Sequence, residues 1–179
     1  MGALLALCKQ AGGGSQGARL KSAANAHSMK SVHKSVLIWY SAQEMFDLVV
    51  DVERYPEFLP WCSHGKVLER TEHGMTAEVG ISFKGLKQTF TTRNEHVPGR
   101  EVRLHLVNGP FSQLEGVWTF TPVGEGDQRA CRIDLKMDYG FSNRLLATLV
   151  GPVFDKIAAS FVDAFVQRAE QVYGGTAAA

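Results

Sequence analysis

Cys62 and His64 are the residues whose types could carry nucleophilic chemistry, because an imidazole beside a thiol activates it as a nucleophile. They lie two residues apart in the sequence. No third residue that would orient the histidine is evident nearby, so the pair does not predict a catalytic site. Four metal ligands at characteristic spacing are also missing, and Cys8, Cys62 and Cys131 form no CxxC pair. We therefore predict no catalytic residues and no metal site.

A different chemistry is indicated by the segment VERYPEFLPW, residues 52–61, which concentrates rigid apolar side chains in an apparent connection. Loops usually carry polar residues because their backbone faces water. The large apolar side chains of the segment are Tyr55, Phe58, Leu59 and Trp61. Two interpretations fit them equally. They form either a lid that contacts a ligand or membrane lipid, or a plug that closes the core.

Basic residues recur in the middle of the chain: Lys84, Lys87, Arg93, Arg100 and Arg103. On adjacent strands they would form a basic patch on one side of a sheet, which is a footprint of nucleic-acid binding. No aromatic residues interleave with them as a base-stacking platform would need, so an ordinary solvated sheet face is the favoured interpretation and nucleic-acid binding the alternative. Lys and Arg number 19 against 18 Asp and Glu, which gives no global footprint for DNA.

The elements that position these residues follow from periodicity. Apolar and polar residues alternate over residues 32–38, which is typical of a first strand. Ser41 with Glu44 three residues later forms a capping box, and Ala42–Val50 follows as a short helix. From Gly65 onward the apolar residues recur at every second position, which is typical of strands, and turns are predicted at residues 84–85, 98–99, 108–110 and 124–126.

The last segment, residues 142–173, has helical spacing. Its apolar residues are Leu146, Leu149, Val150, Val153, Phe154, Ile157, Phe161, Ala164, Phe165 and Val172. Gly151 and Pro152 predict a kink, or a short helix running into a longer one. The fold class is therefore α+β, a curved antiparallel sheet wrapped around one long C-terminal helix, with two short helices after the first strand.

Domain boundaries follow from composition. With 179 residues the chain has enough apolar side chains for one core. Residues 1–28 are rich in Gly, Ala and Ser and predict a disordered extension, with a weak mitochondrial presequence as the alternative. Residues 29–174 form the predicted domain, and residues 175–179 a flexible tail.

Five sequence segments, in this order along the chain, carry a family resemblance: MFDLVVDVERYPEFLPWC, FTTRNEH, NGPFSQLEGVWTFTP, CRIDLKMDYGF and GPVFDKIAASFVDAFVQRAEQVYG. They resemble the bacterial RatA proteins and the coenzyme Q-binding START-like proteins of mitochondria. The resemblance implies a helix-grip fold that binds a polyprenyl quinone such as ubiquinone without catalysis and supports respiration. An alternative implication is a RatA-type inhibitor that binds the large ribosomal subunit and blocks subunit association. A polyketide cyclase or aromatase shares only the fold and is the least favoured.

The resemblance also implies site residues and a compartment. The ligand would be the polyprenyl quinone itself, with no further cofactor. The wall of the quinone-binding cavity would comprise Phe83, Phe90, Phe111, Trp118, Phe154, Ile157 and Phe161, with residues 55–61 as lid. The five basic residues named above would contact the ribosome. A bacterial cytoplasm with peripheral membrane contact is expected, and the mitochondrial matrix is the alternative.

Overall fold

The computed structural model describes residues 29–83, 85–124 and 129–174. The predicted extension 1–28, the predicted tail 175–179 and Lys84 lie outside the described residues. The elements are β1 (Lys30–Ile38), α1 (Ala42–Val50), a 3-10 turn (Val52–Arg54), α2 (Tyr55–Phe58), β2 (Cys62–Thr71), β3 (Gly74–Phe83), β4 (Leu86–Val97), β5 (Glu101–Asn108), β6 (Phe111–Pro122), β7 (Cys131–Phe141) and α3 (Arg144–Tyr173).

The strands form one antiparallel sheet of seven, in the order β1-β7-β6-β5-β4-β3-β2. Consecutive strands from β2 to β7 are neighbours in the sheet, and β1 joins at the edge beside β7. The predicted turn at residues 98–99 is present, with Gly99 at a positive φ of 65° that favours glycine. The α+β helix-grip fold class predicted from the sequence is confirmed, because α3 packs against the face of the sheet that carries the buried side chains.

The capping box at the start of α1 is confirmed. The Ser41 hydroxyl accepts a hydrogen bond from the Glu44 backbone N–H at 3.2 Å, and the Glu44 carboxylate accepts one from the Ser41 N–H at 2.8 Å. These bonds satisfy two donors that a helix start leaves without partners. The reciprocal pair therefore determines where α1 begins, and its buried face carries Met45 and Val49 toward the core.

Helix α3 is continuous through Pro152, so the predicted alternative of two successive helices is wrong. Proline removes one intrahelical donor, but the flanking Val150 and Phe154 are both buried, and their packing holds the segment together. Leu149 and Val172 were expected on the apolar stripe, yet they are 57% and 46% exposed. The buried stripe passes beside them because it is narrower than the run of apolar residues in the sequence.

By length and composition α3 could also cross a membrane, a property that core helices share. Here its buried stripe lies against the sheet, from Val150 to Ala169. The side chains of this stripe and the inner face of the sheet enclose the cavity described next.

An interior cavity and a basic sheet face

An apolar cavity of about 70 Å³ lies between the inner face of the sheet, α2 and the middle of α3. Seven of the predicted ligand-binding residues lie on its wall: Tyr55, Trp61, Phe90, Trp118, Phe154, Ile157 and Phe161. All seven are apolar or aromatic, and they come from α2, the turn before β2, the strands β4 and β6, and α3. The structure thus brings them together, and their contact with a ligand stays a prediction.

The other four predicted residues do not line the cavity. Leu59 is fully buried as core, and Phe83 lies half-buried at the end of β3. Phe111 packs behind the wall, with its ring centroid 5.6 Å from that of Phe90. Phe58 packs edge-on against Phe165 at 5.1 Å. The segment 52–61 is therefore partly wall and partly plug, because Tyr55 and Trp61 line the cavity while Phe58 and Leu59 pack outside it.

Further wall residues were not predicted: Val52, Ala77, Val79, Thr92, Asn94, Leu104, Leu114, Met137 and Ala158. Five of the apolar ones lie on inward strand faces, so the alternation of the strands was a usable signal for Ala77, Val79, Leu104, Leu114 and Met137. Val52 lies in the 3-10 turn and Ala158 on α3. Thr92 and Asn94 follow the predicted wall residue Phe90 at steps of two along β4, so alternation places them on the same face, and only their polar side chains spoke against an inward position. A bulge between Thr91 and Thr92 shifts the register of β4 against β5 beside these two residues.

The volume of the cavity limits what it holds as it stands. Ligand pockets usually measure about 300–1,000 Å³, several times the 70 Å³ present here. A ring with a long tail would enter only if side chains moved. Phe161 is the central obstacle, because its ring lies 5.7 Å from Trp61 and 5.6 Å from Trp118. Opening the cavity therefore means separating α3 from α2 or rotating Phe161.

Helix α2 is held to α3 by polar as well as apolar contacts. Arg168 of α3 forms a 2.5 Å ion pair with Glu57, and its guanidinium lies 5.3 Å above the ring of Phe58. Helix α2 is also held to α1, because the buried Tyr55 hydroxyl donates to the Val49 carbonyl at 2.7 Å. Burial raises the pKa of this phenol far above its usual range, so it stays protonated. Movement of α2 would break this set of contacts together.

Cys62 and His64 do not form a nucleophile–base pair. The Cys62 thiol donates to the His64 backbone carbonyl at 3.3 Å, while the His64 ring lies 3.1 Å from Glu78. Burial raises the pKa of the Cys62 thiol to about 11, which disfavours the reactive thiolate. Among the described residues no group of three or more His, Cys, Asp and Glu side chains could hold a metal ion.

The predicted basic residues that the structure describes are all exposed: Lys87, Arg93, Arg100 and Arg103. Arg103 forms a two-point ion pair with Glu101, at 2.6 and 3.1 Å. Arg93 lies opposite His105 on the neighbouring strand. Within the described part of the chain, Lys87, Arg93 and Arg100 form no ion pair. These three are cations available to an anionic partner, and we call them with Arg103 the basic sheet face.

Comparison with known proteins supports one family over most of the chain. The family described as polyketide cyclase / dehydrase and lipid transport matches residues 38–166. The ribosome association toxin RatA of Pseudomonas aeruginosa is 48% identical over 143 residues, 80% of this chain and 97% of that protein. RatA of Escherichia coli is 43% identical over 81% of this chain and 90% of its own length.

A more distant relative carries a different name. The mitochondrial coenzyme Q-binding protein COQ10 homolog B of Xenopus laevis is 30% identical over 142 residues, 79% of this chain and 58% of that protein. Among solved structures, the ZhuI aromatase/cyclase from Streptomyces has a TM-score of 0.69 at 16% identity, over 80% of this chain and 94% of its own, a likeness of fold alone. The chain belongs to the polyketide cyclase/dehydrase and lipid transport family, within the group of RatA and the coenzyme Q-binding START-like proteins.

Proposed function

We propose that this protein acts by associating with the ribosome. The observation that carries the proposal is the 48% identity to a protein named ribosome association toxin, over 97% of that protein's length. The relatives that share this name are bacterial, which favours a bacterial cytoplasm over a mitochondrial matrix.

The basic sheet face supports this proposal physically. Lys87, Arg93 and Arg100 are exposed and form no ion pair with the described acidic residues. Cations of this kind bind RNA by releasing counterions from its phosphates, so the affinity falls as salt rises. Glu101 holds Arg103, which therefore contributes less than the other three.

Sedimentation with purified ribosomes and separated subunits tests the proposal. We expect the full chain to pellet with ribosomal particles, with the large subunit as the expected target, and to leave them as salt is raised. Replacing Arg93 and Arg100 by glutamate should weaken binding and lower its salt dependence. The matched control is Lys156→Glu, an exposed charge reversal on α3, on the opposite side of the sheet. Equal binding by the two charge-reversed proteins would exclude the basic sheet face, and no sedimentation by the unaltered chain would exclude ribosome association.

A second candidate function is the binding of a neutral apolar lipid, with a polyprenyl quinone as the first compound to test. Two observations favour it: the apolar interior cavity and the 30% identity to a protein named coenzyme Q-binding. Surface and interior are separate, so both functions are compatible in one chain. Apolar burial would supply the affinity, at about 0.8 kcal/mol for each CH₂ group. A cyclase function rests on likeness of fold alone, and we do not propose it.

Organic extraction of the natively purified protein followed by mass spectrometry tests lipid binding. The informative variant is Ala158→Leu, because Ala158 is fully buried on the cavity wall and a leucine would fill the space. Its matched control is Ala159→Leu at the exposed neighbouring position. We expect a stoichiometric lipid from the unaltered chain and from the control, and none from Ala158→Leu. Equal lipid content in both variants would place the lipid outside the cavity.

A further inference from the structure

The cavity wall has one polar corner, on the inner face of β4. Thr92 and Asn94 lie two residues apart on this face, and each is only 4% exposed. Both line the cavity, whose remaining wall is apolar or aromatic. A polar side chain on such a wall is costly, since burial removes its hydrogen bonds to water.

The side-chain oxygen of Asn94 has no hydrogen-bond partner among the described residues, although it is buried. Most buried polar atoms in folded proteins are paired, so an orphaned acceptor on a cavity wall indicates a missing partner. The other hydroxyl on the wall, that of Tyr55, already donates to the Val49 carbonyl. Among the described residues that line the cavity, Asn94 thus carries a buried side-chain acceptor that no protein group satisfies.

The wall also limits the charge of that partner. Of the described residues that line the cavity, none is Lys, Arg, His, Asp or Glu. A carboxylate or phosphate brought into this cavity would lose its hydration without gaining a counter-charge. A carboxamide presents one acceptor and two donors, whichever way it is turned. The group that satisfies both functions is a neutral hydroxyl, which donates and accepts at once.

We propose that Asn94, with Thr92 beside it, anchors the hydroxyl group of a neutral and otherwise apolar ligand in this cavity. The ligand class is phenols, hydroquinones and long-chain alcohols. Fatty acids and phospholipids are excluded by their charge. For a quinone-type lipid, the cavity would select the reduced form, because the oxidised ring offers acceptors only and leaves the Asn94 oxygen unpaired. This inference rests on lipid binding, the second candidate function.

The size of the cavity sets a condition on the ligand's entry. An engineered cavity that binds benzene measures about 150 Å³, twice the 70 Å³ present here. A phenol ring therefore enters only when aromatic side chains of α2 and α3 move. That movement changes the surroundings of Trp61 and Trp118, which both line the cavity, so binding is visible in tryptophan fluorescence.

The test compares two probes that differ only in the donor, para-hexylphenol and its methyl ether. Both are titrated into the full chain carrying Trp39→Phe, which removes the background of a tryptophan that is 75% exposed. An unpaired buried acceptor costs enough that we expect the phenol to bind about 5- to 100-fold more tightly than the ether. In Asn94→Leu the two affinities should agree within about twofold, since the leucine no longer distinguishes a donor.

The matched control is Asn108→Leu at an exposed asparagine on β5, which should keep the full preference for the phenol. Equal affinities of the two probes for the chain with Asn94 intact would overturn this inference and leave apolar ligand binding standing. Absence of binding by both probes would overturn the inference and lipid binding together, and would assign the Asn94 oxygen to a buried water. The comparison with Asn94 intact decides the matter even if the leucine variant does not fold.

Discussion

Phe165 is the residue whose truncation we expect to loosen α2 from α3. It is fully buried, and its ring centroid lies 5.1 Å from Phe58, 5.2 Å from Phe161, 5.3 Å from Trp118 and 5.4 Å from Tyr55. Phe→Ala changes in cores cost about 3–5 kcal/mol, and each aromatic pair adds about 0.5–1.5 kcal/mol beyond its buried area. Because leucine keeps the branched carbons and loses the ring edges, Phe165→Leu should lower the free energy of unfolding by about 1.5–3 kcal/mol.

Urea denaturation followed by circular dichroism measures this loss, and thermal melting should show a fall of about 4–10 °C. The matched control is Leu149→Ala on the same helix, where the side chain is 57% exposed and the cost should stay within about 0.5 kcal/mol. If Phe165→Leu cost no more than Leu149→Ala, the aromatic cluster would not hold α2 in place. The interpretation of residues 52–61 as a packed part of the wall would then fail.

Two further predictions concern titratable groups. Desolvation raises the pKa of Glu44, but hydrogen bonds, above all from Arg129, outweigh it and lower the pKa below 4.5. The stabilisation by this carboxylate is therefore present above pH 4.5 and lost as the pH falls through the lowered pKa. Glu44→Gln should unfold more easily than the unaltered chain at neutral pH, and the difference should shrink as the pH falls below 4.5; a pH-independent difference would contradict this. Burial raises the pKa values of Cys62 and Cys131 to about 11 each. In a variant with Cys8 replaced by serine, these two thiols should therefore react with a thiol reagent at pH 8 far more slowly in the native protein than in the unfolded protein. Equal rates would show that neither thiol is buried.

The order and type of the elements could be predicted because local patterns determine them. The Ser41 and Glu44 side chains close a capping box within four residues, and α1 has the predicted bounds Ala42–Val50. The period-two alternation of β6 and β7 likewise predicted the buried face that includes Trp118 and Leu135. These signals need only neighbours in sequence, since side-chain direction follows from backbone geometry.

Part of the wall could be predicted for the same reason, and part could not. Trp118 and Phe161 are large apolar residues at inward positions, which is enough to expect them in the interior. Leu149 is also a large apolar residue at helical spacing, yet its side chain is exposed. The sequence shows that a helix has apolar residues, but the width of the sheet surface against it determines which of them are covered.

The sequence by itself determined the family, the antiparallel α+β architecture and the apolar character of the interior, because each depends on residue type and local period. Only the tertiary structure decided that Leu59 is plug while Tyr55 and Trp61 are wall, and that Cys62 and His64 point apart. It also decided that Asn94 faces the cavity without a partner. The physical reason is that these outcomes depend on strand register and on packing between distant segments, which no local pattern records.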